Sequence, residues 1–199
     1  MTQDAGPVQG ADEPPAHARF PTSVPVLGEG PVTLRELGEE DIPPWFARAT
    51  DLESADLAGD PVPTSIDLGQ AWLQRQRDHF RHGTGVRWAI VTAGSAVSVG
   101  TVALTLRAGE ARVADLGIVL ARSHWGRGIG AAAARLAVEF GFTGLGLAEV
   151  RAEVLARNPA SMRMLAKAGF QRVRLLPPSE AEPEAMVLYA VARGAAMPG

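Results

Sequence analysis

The chain changes its hydrophobic period several times, and each change marks an element. Val32-Thr33-Leu34-Arg35 begins in alternation, the two-residue period of a half-buried strand, which is expected over 32–37. The run G-E-E-D-I-P-P-W-F-A-R-A then gathers acids and prolines at its start, as a short helix prefers in its first turn. Asp51, Glu53, Asp56 and Asp60 follow in what reads as a loop. Leu68, Trp72 and Leu73 give a helical face to residues 66–81, with Ser65 as cap and Gly83 just past the end. Three strands are expected next, at 86–91, 97–106 and 111–120. Their connectors, A-G-S-A and R-A-G-E, suit hairpin turns, so the middle of the chain reads as an antiparallel meander.

The period then becomes helical. Ile129, Ala133, Leu136 and Phe140 fall on one face, with Arg135 and Glu139 four apart on the other side. Residues 148–155 alternate again, so strand, helix and strand form a βαβ unit with a parallel pair and a right-handed crossover. In N-P-A-S-M-R-M-L-A-K-A-G-F, Asn158 caps a compact helix, Pro159 takes its first turn and Gly169 ends it. Two strands near 170–176 and 185–193, split by P-P-S-E-A-E-P-E, complete the domain. Residues 1–29 are rich in Pro, Gly, Ala and acids without a period, and read as a disordered tail. The domain is expected over 30–194, with 195–199 as a short C-terminal tail.

Composition narrows the chemistry. With 46% apolar residues among 199, the chain can bury a core as one domain. A net charge of −3 gives no reason to expect nucleic acid. The absence of cysteine excludes disulfides, thiolate metal sites and a cysteine nucleophile. His17, His79, His82 and His124 are scattered without a nearby acidic cluster, so no metal is expected. No run approaches the roughly 20 apolar residues of a membrane span, and the first ten residues lack a secretory pattern. A cytoplasmic protein without a membrane partner is the expectation.

The densest signal is S-H-W-G-R-G-I-G, which sets Gly126, Gly128 and Gly130 at alternate positions before a helix. Each glycine costs about 0.5–1 kcal/mol of folding free energy relative to alanine. The spacing is not the G-x-G-x-x-G of a dinucleotide site, and a meander precedes it. A P-loop would need G-K-[S/T], which is absent. A third reading is a cradle for pyrophosphate made of backbone N–H groups at a helix start, where about half a positive charge resides. Arg122 and Arg127 flank it and could add charge-assisted hydrogen bonds. Close packing of helix on sheet is the competing explanation of the glycines.

The run A-D-L-G-I-V-L-A-R-S-H-W-G-R-G-I-G-A-A-A-A-R-L, with N-P-A-S-M-R-M-L-A-K-A-G-F about thirty residues later, resembles the GNAT superfamily of acetyl-CoA-dependent N-acetyltransferases. The nearest branch is that of the ribosomal-protein N-terminal acetyltransferases, the RimJ/RimL type. V-T-L-R-E-L-G-E-E-D-I and W-A-I-V-T-A-G-S-A-V-S-V-G-T-V-A-L also match, so the resemblance spans about 31–193. It implies an α+β fold: a mixed, mostly antiparallel seven-stranded sheet with about four helices and a V-shaped cofactor cleft. In that cleft the backbones of Gly126, Arg127, Gly128, Ile129, Gly130 and Ala131 would hold the pyrophosphate of acetyl-CoA, with Trp125 beside them. The backbones of Ile118 and Leu120 would pair with the pantetheine arm, Asn158 would bond to it, and Ser161 would address the thiol. Trp125 stands where many members carry Gln or Arg, and Trp-Gly is usual in the RimJ/RimL branch. Leu165 stands where many carry a tyrosine acid, so that acid is not available here.

Acetyl transfer needs a neutral amine, and a general base is worth roughly 10²–10⁴-fold. Asp115, two residues before Gly117, and Glu184, at the lip of the last strand, are the leading base candidates; Glu149, Glu153 and a relayed water are others. Ser161 could equally be an ordinary first-turn serine. His124 reads as an exposed spacer and Tyr189 as a strand core residue. Asp51, Glu53, Asp56, Asp60, Glu180, Glu182 and Glu184 form either an acidic lip for a cationic amine or a plain solvated surface. The expected function is direct transfer from acetyl-CoA, in a ternary complex, to a primary amine: a protein N-terminus first, a small amine second. A homodimer is the assembly to test. The rival is a non-catalytic acyl-CoA-binding sensor or scaffold.

Overall fold

Alternating segments become strands and amphipathic ones become helices. The computed structural model describes residues 20–28, 30–59, 61–179 and 183–195. The strands are β1 (Val32–Glu36), β2 (Gly85–Thr92), β3 (Gly100–Leu106), β4 (Val113–Leu120), β5 (Glu149–Leu155), β6 (Gln171–Leu176) and β7 (Met186–Ala192). The helices are α1 (Ile42–Ala49), α2 (Leu52–Ala58), α3 (Leu68–Arg81), α4 (Ile129–Thr143) and α5 (Pro159–Lys167). One seven-stranded sheet runs β1-β2-β3-β4-β5-β7-β6. All neighbours are antiparallel except β4 and β5, the parallel pair of the βαβ unit.

Helix α4 packs on the face that carries Leu34, Trp88, Ile90, Val102 and Leu104. Small residues bring it close. Ala133, Ala134, Ala137 and Val138 are fully buried, and a Cβ on Gly141 would meet Leu147 and Leu104 at 3.0 and 3.1 Å. Of the face expected from spacing, only Ala133 is in the core; Ile129, Leu136 and Phe140 are half-buried flanks. Phe140 meets Trp88 edge-on, with ring centroids 5.5 Å apart. A second cluster of Leu37, Ile42, Trp72, Leu73 and Ala89 seats α1 and α3, where Trp45 stacks on Trp72 at 5.1 Å. Tyr189 is buried in β7.

Several boundaries differ from expectation, each for a local reason. The segment read as an acidic loop contains a fifth helix, α2. Asp51 caps it by accepting from the Ser54 N–H at 3.0 Å, and Gly59 ends it in the left-handed region. Ser65 does not cap α3: its Oγ accepts from the Asp67 N–H, and the helix starts at Leu68. Strand β4 starts at Val113 because Arg112, at φ 66°, still belongs to the turn. Residues 20–28, assigned to the tail by composition, touch the domain. Leu27 bridges to Leu34, the Trp88 Nε1–H donates to the Pro25 carbonyl, and Phe20 packs on Phe80. Residues 1–19 and 196–199, with Asp60, Glu180 and Glu182, lie outside the described residues. Among the described residues no helix is long and apolar enough to cross a membrane.

One polar contact lies deep in this frame. Asp41, 1% exposed, takes hydrogen bonds from both Arg35 terminal nitrogens at 2.7 and 3.0 Å and from the Gly38 N–H at 2.9 Å. Burial alone would raise its pKa, but Arg35 and the Gly38 N–H outweigh it and hold the carboxyl below its ordinary range.

Candidate functional site

The site begins where β4 and β5 part. Their pairing covers only Val113 with Glu149, Ala114 with Val150 and Asp115 with Arg151. Beyond Asp115 the strands splay, and a cleft of about 260 Å³ opens. The free edge of β4 can be identified from the ladder. The Arg107 N–H bonds to Val113 O, and the Ala121 N–H bonds to Val99 O, so odd-numbered residues of β4 bond to β3. Even-numbered residues therefore turn their N–H and C=O toward the cleft. Ile118 and Leu120 are on that edge, and both line the cleft. The Leu120 carbonyl is already taken, since the Trp125 Nε1–H donates to it at 2.9 Å. That bond ties the glycine turn to the end of β4.

The turn supplies a row of backbone donors. Among the described residues, no backbone hydrogen bond uses the N–H groups of residues 126–131. Gly126 and Gly128 have φ of 73° and 79°, a region that side chains other than glycine's rarely adopt. A Cβ built on either would meet nothing within 4 Å. Close packing therefore does not account for these two glycines; the space over them is open. Gly130 differs: a Cβ there would meet Met164 at 3.1 Å and Leu120 at 3.3 Å, so this glycine lets α4 and α5 approach.

Helix α5 forms the opposite wall. The Asn158 Oδ1 accepts from the Ser161 N–H at 3.0 Å, which fixes the first turn and sets both side chains on the cleft. Arg163 and Lys167 extend the lining, and His124 faces it from the turn. The lining thus carries cationic side chains on α5 and, among the described residues, no carboxylate. Donors, open space and positive charge fit a pyrophosphate.

Helix α2, absent from the sequence reading, contributes Ser54, Leu57 and Ala58 to the lining. Their i, i+3, i+4 spacing is one helical face. The Asp51 cap and the trailing Gly59 were the signals that could have revealed it. Ser54 is 3% exposed, and its Oγ has no hydrogen-bond partner. Two arginines hold α2 in place. Arg122 reaches Asp51 and Glu53, each at 3.0 Å, and so turns away from the phosphate role expected of it. Arg157 grips Asp56 and Glu184 together.

The structure brings Ile118, Leu120, Trp125, Gly126, Gly128, Ile129, Gly130, Ala131, Asn158 and Ser161 around one cleft. Arg127 is exposed on the turn. The two expected bases are not in the lining. Asp115 sits at the closed end of the V with its carboxylate on Arg107 at 2.9 and 3.1 Å. Glu184 is bound by Arg157, which holds its carboxyl below the usual range and makes it a weaker base. His124, expected as an exposed spacer, is a half-buried wall residue. Leu165 is buried in the core.

Residues 32–171 match a family model described as an acetyltransferase (GNAT) domain. An uncharacterized N-acetyltransferase of Bacillus subtilis, YoaA, is 28% identical over 152 residues, covering 76% of this chain and 86% of that protein. Mycobacterium smegmatis RimJ, solved in complex with CoA-disulfide, superposes with a TM-score of 0.71 at 24% identity, over 89% of this chain and 90% of that one. Spermidine N-acetyltransferase of Vibrio cholerae, solved with CoA and spermine, gives a TM-score of 0.71 at 18% identity, over 82% and 96%.

Proposed function

Since this chain belongs to the GNAT acetyltransferase family, we propose that it transfers the acetyl group of acetyl-CoA directly to a primary amine within a ternary complex. The observation that carries this reading is the glycine turn: unpaired N–H groups, over open space, at the mouth of the splayed β4–β5 pair. Backbone N–H groups of Gly126, Arg127, Gly128, Ile129, Gly130 and Ala131 take the pyrophosphate, with Arg163 and Lys167 adding charge. Ile118 pairs with the pantetheine arm through both backbone groups, and Leu120 through its N–H alone. The Asn158 Oδ1 accepts the cap bond, and its amide NH₂ donates to that arm.

The thioester supplies an activated acetyl carbon. As the amine nitrogen bonds to that carbon the C–S bond breaks, and the proton lost by nitrogen balances the one gained by sulfur. Ser161 donates to the departing sulfur. No cysteine exists to carry the acetyl group, so transfer is direct. We expect Ser161→Ala to lower kcat about tenfold, the worth of one hydrogen bond to the departing sulfur, while calorimetry finds CoA affinity unchanged; an unaltered kcat removes Ser161 from the reaction.

With no carboxylate in the described lining, the amine sheds its proton to water, and the rate follows the fraction of neutral amine. For a peptide N-terminus, kcat/KM should rise about tenfold per pH unit and level near pH 7.7–8.0, the amine's own pKa. For an aliphatic amine such as spermidine it should rise further, toward pH 10. Thiol release followed against pH checks this. A break that stays at one pH when the acceptor is changed would instead reveal a protein base.

Among acceptors, a protein N-terminus comes first. Asp51, Glu53, Asp56 and Glu184 share two counter-ions, Arg122 and Arg157, which halve the negative charge these acids offer a polycation. A small amine is second. The cytoplasm, where acetyl-CoA and new N-termini meet, is the fitting location.

A further inference from the structure

Resting on that reading of the cleft, we propose that Arg157, with Arg122 as its counterpart, is a positioning residue that holds α2 as a crossbar over the parted strands, so that release of bound CoA requires the Arg157–Asp56 pair to open. The placement is symmetric about the cleft. Arg122 stands two residues beyond the end of β4, and Arg157 two residues beyond the end of β5. Each grips α2: Arg122 at Asp51 and Glu53, Arg157 at Asp56. The helix is thus tied to both parted strands, and its residues Leu57 and Ala58 line the cleft.

Little else holds the far end of α2. Of its seven residues only Ser54 and Ala55 are buried, and Leu52 is 74% exposed, so apolar burial contributes little. Its start is tethered to α1 through the chain, with only Thr50 and Asp51 between the two helices. Its other end, closed by Gly59, has no such tether, and Arg157 acts there. Asp56 lies in the last turn of α2, where the negative pole of a helix disfavours an acid. The helix itself gives no reason for that residue; the arginine does.

The grip uses the whole guanidinium. Its terminal nitrogens donate to both Asp56 carboxylate oxygens at 2.7 and 3.0 Å. Nη2 also reaches the Asp56 carbonyl at 3.3 Å, one of the carbonyls that a helix end leaves without a partner. Nε and Nη2 donate to the two oxygens of Glu184, which anchors the arginine to the segment before β7. An exposed bidentate pair shifts an opening equilibrium by about fivefold, enough to set a release rate without supporting the fold.

The test measures release of CoA from immobilised wild type, Arg157→Gln and Asp56→Asn, together with amide hydrogen exchange in the free proteins. The two substitutions change the charge beside the cleft in opposite directions. Through the electrostatic field alone, Arg157→Gln would hasten release of the anionic CoA and Asp56→Asn would slow it. Loss of the crossbar predicts one sign for both: release about fivefold faster, with faster exchange confined to residues 52–59. Opposite signs, or an unchanged rate in Asp56→Asn, overturn the proposal while leaving the cleft as a CoA site. Exchange accelerated throughout the domain also overturns it, since the pair would then support the fold rather than α2. If the wild type binds no CoA, the reading of the cleft fails together with the proposal.

Discussion

Gly128→Asp should reduce CoA affinity about 1000-fold in a protein that still folds, and should abolish turnover. Three effects act together. Gly128 holds φ 79°, where a side chain other than glycine's costs about 1–2 kcal/mol. Its Cβ would enter the open space above the turn, which is the space assigned to pyrophosphate. A carboxylate there would meet anionic phosphates at the end of a helix whose positive pole should attract them. Gly128→Ala separates the terms, since it keeps the strain and bulk but omits the charge, and should lose only about tenfold. Affinity equal to wild type in a folded Gly128→Asp protein would place the phosphates elsewhere.

Arg35→Met should destabilise the fold by about 3 kcal/mol at neutral pH. The substitution retains much of the apolar stem but leaves Asp41 buried and charged without its counter-ion. For a chain of this size that corresponds to a melting temperature lower by roughly 6–12 °C. The pH dependence has a definite sign. In the wild type the folded-state pKa of Asp41 is depressed, so its contribution is present above the unfolded value and is lost as pH falls through the folded one. In the variant, burial without Arg35 raises that pKa, and protonation relieves the unpaired charge. The gap between the two proteins should therefore narrow as the solution is acidified through about pH 4. A gap that is constant with pH would mean that lost packing, not charge, sets the cost.

Most strands were readable because their burial is one-sided and alternation records it directly. The turn from β4 to α4 was readable for the opposite reason: Gly126 and Gly128 mark a turn just before a helix, although spacing did not reveal that Gly130 lies within α4 and serves its packing on α5. The sheet's parting after Asp115 is not written in alternation, because β4 keeps its pairing with β3 throughout. Helix α2 was hidden because seven residues with two acids make no convincing apolar face, and only the cap at Asp51 and Gly59 betrayed it. The base candidates misled through residue type alone. Asp115 and Glu184 looked available in sequence, and each has an arginine partner, as do the lip acids Asp56 and Glu53. Arg157 and Asp56 are 101 residues apart, beyond any local pattern.

The most direct test of acyl transfer is mass spectrometry of an amine panel incubated with acetyl-CoA and the purified protein. The panel should hold peptides with free Ala and Ser N-termini, the same peptides blocked at the N-terminus, and spermidine. The account predicts acetylated product from the free N-terminal peptides in greatest yield, at one thiol released per acetyl group gained. Tight CoA binding with no acetylated amine anywhere in the panel would contradict it and favour a module that senses acyl-CoA without consuming it.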